Sequence, residues 1–271
     1  MSNEFVGRSR TRTQLLDRAS LARFTAACGG DPAREEDVPP LAHWAWFLDA
    51  APDRALGPDG HAAHGGLLPT FDDAPRRMFA ASRVRFHANL ILDAEATEHA
   101  VIAAVTEKSG RSGPLCFVEM TREIAQHGTL RIEEHQTLVF RPAGEAELEA
   151  LPRPAADADA APENGVLWRP DAVGLFRFSA ATFNAHRIHY DLPYTRELEH
   201  YPALVVHGPL TAAKLASLAA RSGPLREFSF RALAPLFAGQ PVRLVHSGDG
   251  EVTALRCDGT RAMYASYQTM R

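Results

Sequence analysis

The 271 residues carry 29 lysines and arginines against 33 aspartates and glutamates, for a formal net charge of −4. That balance excludes global attraction to nucleic acid or an anionic membrane, so any polyanion must be met by a local cluster of cations. Cys28, Cys116 and Cys257 are odd in number, far apart and without C-x-x-C spacing, which argues against a disulfide framework, a zinc site or a redox pair.

Met1 to Thr13 is polar and arginine-bearing and lacks the apolar segment of a secretory signal. No run approaches the roughly 18 apolar residues of a membrane helix, and the expectation is a soluble, cytoplasmic chain without membrane or nucleic-acid partners. Strand signals follow at Val84 to Leu92, Ala100 to Lys108, Leu115 to Ile124 and Thr129 to Arg141, separated by turn-forming segments at Lys108 to Pro114 and Gln126 to Gly128. Between Phe140 and Trp168 the sequence turns to proline, alanine, glutamate and aspartate with almost no aromatic or β-branched residues, which is a linker composition. The expected division is residues 1–145, a linker over 146–165, and residues 166–271. In the last part an alanine- and leucine-rich stretch from Thr211 to Ala220 reads as a helix. Strands follow at Glu227 to Pro235, Val242 to Ser247, Glu251 to Cys257 and Ala262 to Met270, with alternation visible in Phe228, Phe230 and Ala232.

The two parts share patterns in the same order. Arg23-Phe24-Thr25-Ala26-Ala27 matches Arg177-Phe178-Ser179-Ala180-Ala181, Leu41-Ala42-His43-Trp44 matches Val205-Val206-His207-Gly208, and Arg85-Phe86-His87-Ala88 matches Ser229-Phe230-Arg231-Ala232. Internal duplication accounts for this economically. Each half then reads as one principal helix followed by an antiparallel meander whose apolar face the helix covers, an α+β fold.

Chemistry concentrates in Phe183-Asn184-Ala185-His186-Arg187-Ile188-His189-Tyr190-Asp191, where two histidines, an amide and a carboxylate stand together. The H-x-x-H spacing with a nearby aspartate is weak evidence for a metal, because catalytic zinc needs a third ligand and a second shell that the sequence does not display; no metal or cofactor is expected. Imidazole titrates near working pH, so His189 suits general acid–base work. At His207-Gly208 a glycine opens a helix, where free N–H groups and a partial positive charge could polarise a carbonyl that becomes an enolate. The same glycine would also serve simply to admit the turn before Pro209.

A polar loop ending in Ile188-His189-Tyr190-Asp191, a short gap, and Tyr201-Pro202-Ala203-Leu204-Val205-Val206-His207-Gly208-Pro209-Leu210 together resemble the MaoC-like enoyl-CoA hydratases and hydroxyacyl-thioester dehydratases. The branch most resembled contains mesaconyl-C4-CoA (3-methylfumaryl-CoA) hydratase, itaconyl-CoA hydratase and the mitochondrial-type 3-hydroxyacyl-thioester dehydratase. Gly60 to Pro69, Arg76-Arg77-Met78, Gly110 to Leu115 and Glu133-Glu134-His135 extend the likeness through the first half. The resemblance implies a double hotdog, in which each repeat wraps an antiparallel sheet around a central helix. It also implies a hydro-lyase acting on an acyl-CoA, and a monomer or homodimer of such chains.

The family pattern D-x-N-P-x-H falls on Asn184, His186, Arg187 and His189, so an amide stands where the family has an aspartate. Either His189 is the sole strong base with Asn184 positioning the water, or His186 or Asp191 supplies a second function. In the first half Cys28-Gly29-Gly30-Asp31-Pro32 replaces the catalytic loop and Trp44 replaces Gly208, which implies a degenerate half that shapes the acyl and CoA tunnel. Arg76, Arg77, Arg83, Arg85 and Arg111 are candidates for CoA phosphates, and Arg187 for the free carboxylate of a dicarboxylic acyl group. Tyr190, His186 and His207 complete the expected substrate-binding set. The preferred substrate is a C5 dicarboxylic enoyl-CoA, with a straight-chain hydroxyacyl thioester as the alternative. A thioesterase is disfavoured because Gly208-Pro209-Leu210-Thr211-Ala212 offers no carboxylate to activate water; a non-catalytic acyl-binding protein is the remaining possibility.

Overall fold

The computed structural model describes residues 4–33, 38–62, 66–69, 71, 76–110, 113–142 and 150–270. Ten strands form one antiparallel sheet in the order β1-β3-β4-β5-β2-β7-β10-β9-β8-β6. The first five are β1 (Ser9–Leu15), β2 (Arg76–Phe86), β3 (Glu95–Gly110), β4 (Gly113–Gln126) and β5 (Thr129–Arg141). The second five are β6 (Gly165–Trp168), β7 (Leu225–Ala232), β8 (Val242–Gly248), β9 (Glu251–Leu255) and β10 (Arg261–Thr269). Read outward from the central β2/β7 pair, the two halves run in the same order, so the sheet consists of two repeats related about that pair. Val84 and Phe228, which immediately precede the matched segments at 85 and 229, are register partners. Helices α1 (Arg18–Ala27) and α2 (Ala172–Ala181) carry the other matched segments, and Phe24 and Phe178 face each other with ring centroids 5.9 Å apart. Each helix is capped by an aspartate, Asp17 or Asp171, accepting a backbone N–H from its first turn.

The second repeat has its central helix. In α4 (Gly208–Ala219) Leu210, Ala212, Ala213, Leu215, Ala216, Leu218 and Ala219 are all buried, and the alanines let the helix lie close against β7, β8, β9 and β10. A short α3 (Leu192–Glu197) precedes it.

The first repeat departs from the expectation of one principal helix per half. At the matched Leu41-Ala42-His43-Trp44 a 3-10 turn forms over Ala42–Ala45 in place of a helix, and the chain continues through extended Trp46 and left-handed Phe47. The cause lies in β1. The Phe47 N–H donates to Gln14 Oε1 at 2.7 Å, and Arg12 donates to the carbonyls of Phe47 and of Leu48, the latter at 3.3 Å. Groups that would close helical turns are taken by side chains.

A buried polar network occupies the region behind this turn. Glu134 accepts from Ser82 (2.9 Å), Trp44 (3.1 Å), His43 (3.1 Å) and Arg122 (2.9 Å), and Arg122 also bonds Glu98, which Arg12 reaches from β1. Burial pushes the Glu134 carboxyl up, but His43 and Arg122 prevail and hold it at about 2.

β1 and β6 were not marked by the sequence pattern, and β2 begins and ends earlier than the 84–92 expected for it. Residues 150–164 contain no strand or helix; Gln240 donates to the Pro152 carbonyl, and Asp157 pairs with Arg243. No helix among the described residues is long and apolar enough to cross a membrane.

Candidate active site

The loop from Thr182 to Asp191 is shaped by its own polar side chains. Phe183 takes a left-handed turn, the Asn184 N–H bonds the Ser179 carbonyl at 2.8 Å, and Asn184 Oδ1 accepts the His186 N–H at 3.0 Å. One lone pair of that oxygen is thus used, and both NH2 donors of Asn184 remain to offer a ligand. A 3-10 turn over Arg187–His189 follows, and a backbone bond from Val205 N to Ile188 O ties it to the segment leading into α4.

His189 Nδ1 lies 2.7 Å from the Val205 carbonyl oxygen. A carbonyl can only accept, so Nδ1 carries the proton and neutral His189 presents the lone pair of Nε2. Burial lowers its proton affinity against the support of that hydrogen bond, to about 4, and the ring is an unprotonated base at neutral pH. Beneath it His207 stacks at a centroid distance of 3.5 Å, buried and bonded to Ser179 Oγ at 2.9 Å. Burial and the neighbouring imidazoles drive His207 well below the usual histidine range, so it supports His189 as a neutral ring.

These residues border a cavity of about 790 Å³ lined by Asn184, His186, His189, Gly208, Pro209 and Thr211 from the second repeat and by Trp44, His61, Arg77 and Phe79 from the first. A Cβ built on Gly208 would meet only the Phe79 carbonyl, at an ordinary 3.5 Å. The protein's own packing therefore does not demand glycine there, and the open space lies toward the cavity. Trp44, at the matching place, donates its indole N–H to Glu134 and fills its helix-like turn with bulk.

Several expected binding residues are directed elsewhere. Arg187 pairs with Asp191 at 2.8 Å, donates to the Pro58 carbonyl and lies over the Tyr194 ring at 4.0 Å, so it does not line the cavity as a carboxylate partner would. Asp191 caps α3. Tyr190 is 46% exposed and bonds the Ala185 carbonyl, and His207 lies behind His189, so neither lines the cavity. Arg76 is buried against Glu199 at 2.7 Å, and Arg83 and Arg85 pair with Glu227 on the sheet surface. Arg111 lies outside the described residues. Of the described arginines expected to meet CoA phosphates only Arg77 lines the cavity, so the described part of that patch is not assembled as expected.

The loop Gly57–Ala62 of the first repeat contributes a group that sequence reasoning missed. His61 Nδ1 bonds Asp59 Oδ2 at 2.7 Å, and its ring lies 4.2 Å from that of His186, which is itself 5.3 Å from His189. The loop is fastened to the Thr182–Asp191 loop by Arg187 N to Asp59 O at 2.9 Å and by Gly60. At φ +90°, Gly60 passes so near that a Cβ would lie 1.9 Å from the Ala185 carbonyl oxygen. The Gly60 to Pro69 likeness noted in the sequence was the available signal. Asp59, His61 and His186 offer three donor atoms within 4.8 Å of one another. Because Asp59 already holds His61 Nδ1, the arrangement is a carboxylate-oriented imidazole rather than three open metal ligands.

Over 97% of its length the chain is 43% identical to mesaconyl-C(4)-CoA hydratase of Chloroflexus aurantiacus, covering 96% of that protein. The fold matches a MaoC-like dehydratase of Phytophthora capsici (TM-score 0.69, 14% identity, 97% and 96% of the two chains). It also matches a Mycobacterium tuberculosis protein with a double hotdog fold (TM-score 0.55, 13% identity, 97% and 95%). The repeated sheet is thus a double hotdog. Residues 41–238, which span both Trp44 and the His189 loop, match the model of one family, and the chain belongs to it: hydroxyacyl-thioester dehydratase type 2.

Proposed function

We propose that the protein is a hydro-lyase that reversibly adds water across the double bond of an enoyl-CoA thioester. The observation that carries this reading is the fixed tautomer of His189, whose Nε2 lone pair faces a cavity that also receives the N-terminus of α4 at Gly208. The thioester carbonyl accepts the Gly208 N–H, and the positive end of α4 draws electrons from the conjugated double bond. Asn184 donates from its NH2 to the water oxygen while His189 Nε2 accepts one water proton. As the oxygen bonds the β-carbon, the π electrons pass to the α-carbon and the thioester oxygen. The imidazolium then returns its proton to the α-carbon, so one water is added and nothing is left over; dehydration runs the same steps backward. This assigns catalysis to His189, Asn184 and Gly208, with His186 and Arg77 toward the substrate, and makes residues 1–145 the half that shapes the acyl site.

Likeness to the Chloroflexus hydratase favours a C5 dicarboxylic substrate, mesaconyl-C4-CoA first and itaconyl-CoA second. The family description keeps a 3-hydroxyacyl-thioester dehydratase as the second reading. The chain is expected to act in the cytoplasm as a monomer or homodimer, with no cofactor. The test incubates the protein with mesaconyl-C4-CoA, itaconyl-CoA, crotonyl-CoA and 3-hydroxybutyryl-CoA, following hydrated and dehydrated products by chromatography and free thiol in parallel. Interconversion without thiol release is expected. Release of CoA without hydration would identify a thioesterase and overturn the reading.

A further inference from the structure

Five arginines are among the described residues lining the cavity: Arg10, Arg12, Arg77, Arg122 and Arg141. Four have partners. Arg10 and Arg12 share Asp49, Arg12 and Arg122 meet at Glu98, and Arg141 donates to the Tyr201 hydroxyl at 2.9 Å. The Arg77 side chain makes no hydrogen bond or ion pair with a described residue. Burial weakens its hold on its proton, and Asp59 and Asp49 support the charge only through space. It lines the same cavity as His61 and His186, and its positive charge disfavours protonation of both rings.

A partly exposed guanidinium on the cavity wall without a bonded acid keeps its donors free for a ligand, and an anionic group is the partner they suit. Its planar fork suits a carboxylate. The geometry of water addition fixes where such a group belongs. With the thioester oxygen at Gly208 and the β-carbon at the water held by His189, a substituent on the β-carbon extends past His189, toward His186 and the wall it shares with His61 and Arg77.

We propose that Arg77 binds a free carboxylate borne on the β-carbon of the acyl group, and so selects dicarboxylic over monocarboxylic enoyl thioesters. The inference rests on the thioester reading and gives the first repeat a defined role, recognition of the acyl group on which the second repeat acts. It also moves substrate recognition from Arg187, which Asp191 occupies, to a residue of β2.

The proposal is tested by calorimetric binding of succinyl-CoA and butyryl-CoA to the full-length protein. Both are saturated and cannot be hydrated, both carry the same CoA phosphates, and they differ by a carboxylate in place of a methyl. The wild type should prefer succinyl-CoA by at least about thirtyfold, the scale of a desolvated charge pair. Arg77→Gln should erase the preference and leave butyryl-CoA affinity within about threefold. Should that variant fail to fold, Arg77→Lys should lower the preference by about tenfold with butyryl-CoA unaffected. Equal affinity of the wild type for the two ligands would overturn the proposal, as would an equal loss of both in a folded variant, which would assign Arg77 to the phosphates. Selective binding without hydration of mesaconyl-C4-CoA would instead remove the hydro-lyase reading and leave the carboxylate site standing.

Discussion

The two repeats share a strand order yet solve the problem of covering a curved sheet differently. In the second, α4 is buried almost all round and its opening glycine borders the cavity. In the first, a 3-10 turn stands in its place, and a polar network of Glu98, Arg122, Glu134, His43 and Trp44 is buried behind it. The difference shows how one repeat can do without the central helix and serve as a wall of the cavity. With the helix prevented by the side chains of β1, the chain around residues 47–62 crosses to the other repeat and brings His61 to the Thr182–Asp191 loop.

The contrast breaks most sharply at the paired histidines. His189→Ala should lower turnover by roughly 10² to 10⁴, whereas His43→Ala, its neighbour's counterpart in the first repeat, should leave kcat within about tenfold and lower stability instead. Initial rates and denaturant titration of both variants give the answer, and a comparable rate loss in both would mean that the first repeat also does chemistry.

Next in size is Glu134. Replacing it by glutamine strips Arg122 of one carboxylate and should destabilise the fold by about 3 kcal/mol. The sign of the pH effect follows from its depressed value. A carboxyl held at about 2, against an ordinary 4.5, adds stability that is fully present above pH 4.5 and is lost as pH falls from there toward 2. Acid titration of the wild type should show that loss, and Glu134→Gln should flatten it.

Gly60→Ala tests the bridge between the repeats. The added methyl meets the Ala185 carbonyl and the backbone is left-handed, so a cost of about 1–3 kcal/mol is expected, with slower turnover because the His189 loop is displaced. Unchanged melting and rate would show that the loop of residues 57–62 is not fastened to the catalytic loop. The smallest effect belongs to Phe24 and Phe178. A double-mutant cycle to leucine should give a coupling of about 0.5–1 kcal/mol.

Much of the sheet was legible because alternation survives in it: Thr129–Arg141 begins and ends where the pattern places it, and β7 is written in Phe228 and Phe230. β1 was hidden because its inward residues are Arg10, Arg12 and Gln14, polar groups that bond rather than pack. The absence of a helix after Trp44 was hidden for the same reason, since long-range side chains from β1 override a local propensity. In the site, His189 and Gly208 were readable from local spacing. Asp59 and His61 were not, because they come from a turn-rich segment more than 120 residues away and meet the loop only through the fold. Arg187 was readable too, as the i,i+4 partner of Asp191, though proximity to the loop suggested otherwise.

The two repeats, paired through β2 and β7, belong to one chain. In a pair of identical subunits every substitution is made twice, and any change that improved a wall would equally damage the catalyst facing it. Joined in one chain, the copies are released from that constraint. Trp44 and Gly208, at matching places, can each be optimal because neither is obliged to be the other.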